Sequence, residues 1–280
     1  MSARVVTLDC ETIPCQLEEV REQLRRETDA ARPAQNRAKA DKEVWDTPEG
    51  CEARFQTALA KTAVDPLFCG VLCVSWAVDD ERPQTIKAMP WSKRREARMA
   101  KGLAQTWAEA ADVSTVWCGH NLCGFDLRVL LALFRRTGVR PPEHFPRWYA
   151  GRWHGRTHDS MLEAACGHPL NFISLESACR AVGVSGAKTI VWNGEAVSGE
   201  RVQEMYEGKA YREIVKYCEQ DVRVTRALYQ AQTFRGTYPG GRLDGVVAQL
   251  EEIDGSNLSD AQMALAKLRI LESSGVVPRT

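Results

Sequence analysis

The order of segments predicts an α/β layer architecture. Strand-like apolar runs come first, helix-like and strand-like segments then alternate, and helix-like segments close the chain. Val5–Asp9 (Val-Val-Thr-Leu-Asp) reads as a buried strand, because the run is short, apolar and β-branched. Residues 16–61 are rich in Glu, Arg, Ala and Gln, and read as helices with a looser middle around Pro33 and Pro48. Gly70–Ala77 reads as a second strand, with Gln84–Ala88 as a third strand paired to it through the polar turn at Asp79–Pro83. Arg94–Ala111 has helical spacing. Thr115–Gly119 is a short strand, and Gly124–Thr137 a helix with Phe125, Val129, Leu130 and Leu133 on its apolar side. An irregular stretch runs from Pro141 to about Thr157, followed by helices near Ser160–Cys166 and Ser174–Val182 and a long amphipathic helix at Tyr211–Gln232. Phe234–Arg242, with Pro239-Gly240-Gly241, reads as a linker, and the tail from Leu243 carries two more helical patterns.

The bulk numbers narrow the class. A chain of 280 residues, 44% hydrophobic and 26% charged, suits one large soluble domain with an appendage. The formal net charge is zero, so a polyanionic partner would have to meet a local patch. No run of about 18 apolar residues exists, which argues against a membrane span. Met1–Val5 lacks a signal-peptide layout, and the 10 cysteines lack structural-zinc spacing. They read as buried free thiols in a reducing, cytoplasmic compartment.

Three short patterns carry chemistry. Asp9 and Glu11 lie two apart at the end of the first strand, so both carboxylates point to one face. Two such acids repel unless a cation lies between them. A solvated strand end would carry the same pair, so the pattern alone is weak. Asp126 closes Asn121-Leu122-Cys123-Gly124-Phe125-Asp126, where a strand turns into a helix and the helix dipole favours an anion. An ordinary helix-starting Asp looks the same. Tyr217 and Asp221 stand four apart in the late helix and share one face.

Taken in order, Asp-x-Glu, Asn-x-x-x-Phe-Asp and Tyr-x-x-x-Asp form a set that resembles the DEDDy 3′–5′ exonucleases. These are the tyrosine-bearing branch of the DnaQ-like superfamily, built on a ribonuclease-H-like fold. The likeness is nearest to stand-alone exonucleases related to the proofreading domain of family B DNA polymerases. Asp9-Cys10-Glu11-Thr12-Ile13-Pro14, Asp65–Val74, His158-Asp159-Ser160-Met161 and Ser174–Cys179 fit that group's layout too. The resemblance covers residues 1–232. It implies a ribonuclease-H-like mixed sheet flanked by helices, with a helical insertion at 16–61 after the first strand. Residues 233–280 become a linker and small helical C-terminal extension.

The resemblance also implies a mechanism. Asp9, Glu11, Asp126 and Asp221 would hold two divalent ions, Mg²⁺ or Mn²⁺, since hard oxygen ligands suit hard cations. Asp9 would bridge both ions, Glu11 would hold one and orient the nucleophilic water, and Asp221 would complete the shell. Tyr217 would position that water rather than deprotonate it, its ordinary pKa being about 10. Asn121 and Phe125 are candidate nucleic-acid contacts, with helix capping and core packing as their plainer roles. Asp159 reads first as a helix cap.

The stretch Arg135–His158 interleaves arginines with aromatics and suits a groove for unpaired bases, with Trp148, Tyr149 and Arg152 as the candidate grip. The expected activity is hydrolysis from the 3′ end of DNA, single-stranded, releasing nucleoside monophosphates. The rivals are an RNA-trimming exonuclease of the RNase D kind and a non-catalytic nucleic-acid-binding module. A replication or repair partner could dock on the C-terminal tail.

Overall fold

A computed structural model describes residues 4–31, 45, 47–146, 156–168, 171–187 and 189–234. Residues 235–280, 32–44 and 46, which fall in the expected C-terminal extension and helical insertion, lie outside these residues, as do Trp148, Tyr149 and Arg152.

Five strands form the main sheet: β1 (Val5–Ile13), β2 (Gly70–Val78), β3 (Gln84–Lys87), β4 (Val116–Gly119) and β5 (Thr157–Asp159). Their order is β3-β2-β1-β4-β5. β1 pairs antiparallel with β2 and parallel with β4; β2–β3 is antiparallel and β4–β5 parallel. This mixed sheet flanked by helices is the ribonuclease-H-like α/β arrangement. β1 is central and longer than the expected Val5–Asp9, because its pairing with β2 continues to Ile13, while its pairing with β4 covers only Val5–Thr7. The register slips between Glu11 and Thr12: Glu11 faces Cys73, but Thr12 faces Val71. Such a bulge re-aims side chains locally.

Alternation along β1 divides the molecule. Val6, Leu8 and Cys10 enter a core with helices α3 (Lys93–Ala110) and α4 (Asp126–Thr137). Ile13 enters a second core with Tyr217 and Cys218 of the long helix α8 (Tyr211–Gln232). That helix has the bounds its 3.6-residue periodicity predicts, and Ile214, Cys218, Thr225 and Leu228 form its buried stripe. Two helices follow β1: α1 (Glu18–Ala30) and α2 (Pro48–Lys61), which pack together through Phe55, Leu59, Val20 and Leu24. Pro48 starts α2 at its first turn with Thr47 as cap, rather than lying in a looser middle; proline is well placed there because that N–H has no helical partner.

Two features differ from the sequence reading. The irregular stretch ends in a true strand, β5, three residues long and too short to show a period. Between α6 (Leu175–Ala181), which follows α5 (Ser160–Ala164), and α8 lie a small hairpin, β6 (Val191–Trp192) with β7 (Glu195–Ala196), and α7 (Val202–Glu207). No periodic pattern announces any of them.

Local chemistry fixes the helices that hold the site. Ser92 accepts from Arg95 N at 3.2 Å to start α3. Gly138, with φ of 66°, ends α4 in the left-handed conformation that glycine adopts without penalty. Glu96 of α3 ties three elements together. It accepts from Val71 N at the start of β2, from the Trp91 indole, and from Arg136 of α4 at 2.6 Å. Among the described residues no helix is long and apolar enough to cross a membrane.

Candidate active site

Asp9 and Glu11 project from β1 toward α8, as the strand period requires. Asp126 arrives from the opposite layer at the first residue of α4. Its Oδ1 accepts from Cys10 N at 3.1 Å and from the Cys10 thiol at 3.0 Å. These contacts seat the helix start against the β1 backbone. Tyr217 and Asp221 come down from α8, and the Tyr217 hydroxyl bonds the Asp221 carboxylate. The five interact through their charges: Glu11 feels Asp9, Asp221 and Asp126, and Tyr217 feels Glu11, Asp221 and Asp9. Asp9 and Glu11 bring carboxylate oxygens within 4.8 Å of each other; Asp126 and Asp221 are not part of that closer group.

The electrostatics of this meeting are unfavourable by themselves. Burial, and then the charge of Asp126, pushes the Asp9 carboxyl up to about 8 despite the neighbouring Cys218 thiol. Burial pushes Asp126 up to about 7, with the Cys10 hydrogen bonds opposing and Asp159 adding. Glu11 is raised well above the carboxylate range by burial and then by Asp9. Tyr217 is held well above its ordinary value by burial first, then by Glu11 and Asp221. Asp9 Oδ2 is buried and receives no hydrogen bond. A buried carboxylate oxygen without a donor is costly unless a cation meets it. This oxygen-rich, mutually repelling set fits a divalent cation.

The loop before α4 is held by Asp159, which the sequence reads first as a helix cap and second as an acid supporting the site. Asp159, at the end of β5, does cap α5 through Met161 N at 3.1 Å. It also accepts from Asn121 N at 3.0 Å and Cys123 N at 2.8 Å, clamping the turn that delivers Asp126. Asn121 adopts φ of 63°, and its side chain lies over Gly124; a Cβ there would meet Asn121 Oδ1 at 2.2 Å. Phe125 is half-buried and packs against the core on the α3–α4 side. His120, for which the sequence offers no partner, bonds Ser160 Oγ at 2.9 Å and the Ile173 carbonyl at 2.8 Å. The sequence reading also missed Cys218. All ten cysteines are free and seven are buried, but the Cys218 sulfur lies within 4.8 Å of carboxylate oxygens of both Asp9 and Glu11. Its position next to Tyr217 in the chain is the signal that could have found it.

Fold and site together define a ribonuclease-H-like domain carrying a cluster of acids, Glu11 and Asp126 buried and Asp9 and Asp221 half-buried. The chain belongs to the family described as predicted 3′–5′ exonucleases related to the exonuclease domain of PolB, whose model matches residues 65–262. The matched stretch contains Asp126, Tyr217 and Asp221 and begins after β1. No curated protein matches the chain. A family B DNA polymerase from the hyperthermophilic archaeon Pyrobaculum calidifontis is similar to it at 16% identity and a TM-score of 0.49, over 98% of this chain and 29% of the polymerase. The chain thus spans less than a third of that polymerase.

Proposed function

We propose that this protein is a metal-dependent exonuclease that removes nucleoside monophosphates from the 3′ end of single-stranded DNA, with residues 1–232 as the nuclease unit. The observation that carries the reading is that the charges of Asp9, Asp126 and Asp221 all bear on Glu11, with Tyr217 hydrogen-bonded to Asp221 and Asp9 Oδ2 left without a donor. Asp9, Glu11, Asp126 and Asp221 would hold two Mg²⁺ or Mn²⁺ ions, which supply charge neutralisation at the phosphate and an activated water. Asp9, whose carboxyl interacts with both Asp126 and Glu11, would serve as the ligand common to both ions. Glu11 would hold one ion and help orient the attacking water. The Tyr217 hydroxyl, which burial and its acidic neighbours keep protonated, positions that water by hydrogen bonding and does not take its proton. Attack breaks the terminal phosphodiester and leaves a new 3′-hydroxyl on the shortened strand. Asn121 and Phe125 precede Asp126 in the chain and contact the strand end; Trp148, Tyr149 and Arg152 grip bases further along. A replication or repair partner, if one is used, docks on residues 233–280.

The test is a time course on end-labelled single-stranded DNA and matched RNA with Mg²⁺, Mn²⁺ or chelator, for wild type and Asp9→Ala. A metal-dependent ladder shortening from the 3′ end and lost in the variant is expected. Faster cleavage of RNA would move the reading to an RNA-trimming enzyme. No cleavage under any condition would leave a nucleic-acid-binding module.

A further inference from the structure

A thiol sits among the acids. Cys218 is fully buried, and its Sγ donates to the Asp9 main-chain carbonyl at 3.4 Å. That sulfur and one carboxylate oxygen from each of Asp9 and Glu11 all lie within 4.8 Å of one another. Cys73, the cross-strand partner of Glu11 on β2, is also buried and hydrogen-bonds the Cys218 thiol. The exonuclease chemistry proposed above makes no use of sulfur, because Mg²⁺ and Mn²⁺ favour oxygen. The second observation is Asp9 Oδ2, buried without a donor beside this group.

We propose that Asp9, Glu11 and Cys218 form a mixed oxygen–sulfur site for a thiophilic divalent cation, zinc or cadmium in class, whose occupancy excludes the hard ions at the same carboxylates. The distances allow it. Zinc bonds of about 2.0–2.3 Å set tetrahedral ligands roughly 3.3–3.8 Å apart. Closing from within 4.8 Å needs side-chain adjustment on the order of an ångström, well within a rotamer change for Glu11. On binding, bonds form from the metal to the sulfur and to the two carboxylates; the thiol proton, and any proton held by Asp9 or Glu11, leaves to solvent, and nothing is oxidised. Cys73 is within reach as a second sulfur. The preference follows from ligand softness: thiolate favours zinc-like ions over magnesium-like ones, and zinc outranks manganese for a given ligand set.

The inference shares its carboxylates with the nuclease reading but stands on their geometry with Cys218, so its readout needs no turnover. The full reduced chain, with Cys51, Cys123 and Cys166 replaced by serine to remove the thiols that are not fully buried, is titrated with Cd²⁺. The sulfur-to-cadmium charge-transfer absorption in the ultraviolet is recorded. One equivalent of Cd²⁺ should give the band, and excess Mn²⁺ should compete with it. Cys218→Ser should abolish the band or weaken Cd²⁺ binding at least tenfold. Asp9→Asn and Glu11→Gln should each weaken it at least tenfold. These two variants carry the test if circular dichroism shows that Cys218→Ser does not fold. An unchanged titration in folded Cys218→Ser, or a band indifferent to both carboxylate variants, overturns the proposal. So does the lack of a band at stoichiometric Cd²⁺. Active nuclease with no band would refute this inference alone; a band without nuclease activity would refute only the exonuclease reading.

Discussion

On one side of the sheet Trp76, Trp107, Trp117, Phe134 and Phe145 interlock, with Trp107 edge-on to Trp117 at 5.3 Å and stacked on Phe145 at 5.5 Å. On the other side the same central strand sends Asp9 and Glu11 toward Tyr217 and Asp221. The first region is buried, the second is partly so, and both hang on β1 or its neighbours. In the first, apolar burial and favourable ring geometry outweigh the cost of one buried indole N–H, that of Trp107, which finds no acceptor. In the second, burial raises the cost of each charge, and each neighbour raises it further. The first region holds the fold together; the second is held in place by it. The lesson is that β1 is one strand with two energetic signs, and that the acids remain together because the aromatic side, the Glu96 tie and the Asp159 clamp fix their positions.

Replacing groups on each side should separate these roles. Trp107→Ala empties the centre of the aromatic cluster and should cost about 3–5 kcal/mol in urea unfolding. Its folded fraction should keep its affinity for Mn²⁺; a large loss of that affinity would mean that the two regions are not separable. Asp9→Asn should do the reverse. Nuclease activity should fall about a thousandfold or more, equivalent to about 4 kcal/mol of lost transition-state stabilisation. The chelated protein should melt higher than wild type at pH 8, because a repelling carboxylate has been removed. A variant that melts lower would show that Asp9 contributes to stability.

The pH dependence sharpens the contrast. Asp9 and Asp126 have carboxyls raised in the folded state, from 3.8 to about 8 and about 7. The unfolded chain then loses its protons first as pH rises. Stability from these groups is full below their unfolded values and is lost between about pH 4 and pH 8. In chelator, the melting temperature should therefore fall across this window. Mn²⁺ at a hundredfold excess over its dissociation constant should restore about 2.7 kcal/mol at pH 8, on the order of 5–10 °C for a domain of this size. Little restoration is expected at pH 5, where the acids are protonated. Equal stabilisation at both pH values would show that the ion binds elsewhere. The smallest effect is assigned to Tyr217→Phe. Loss of one orienting hydrogen bond should lower kcat about tenfold, a barrier change of about 1.4 kcal/mol, with Mn²⁺ affinity unchanged. A fall of a thousandfold would make Tyr217 a proton acceptor, contrary to the direction of its pKa.

The residues of the candidate site were legible wherever their relation is local. Asp9 and Glu11 share a face because strand side chains alternate, and Tyr217 and Asp221 share one because four residues complete about one helical turn. The bounds of α8 follow from its apolar period. The strand–helix alternation is enough to choose the α/β class. What the tertiary structure decided are contacts between distant segments. Asp126 meets Cys10 across 116 positions of chain, and Asp159 reaches back to Asn121 and Cys123 through the pairing of Gly119 with Asp159 at the ends of β4 and β5. The bulge after Glu11 depends on how β2 is registered against β1. Cys218 joins the acids only because α8 packs across β1 with that face inward. Periodicity is a property of neighbours along the chain and is written in the sequence. Register and layer packing are set by which distant surfaces bury each other best, and that is settled only when the whole chain has folded.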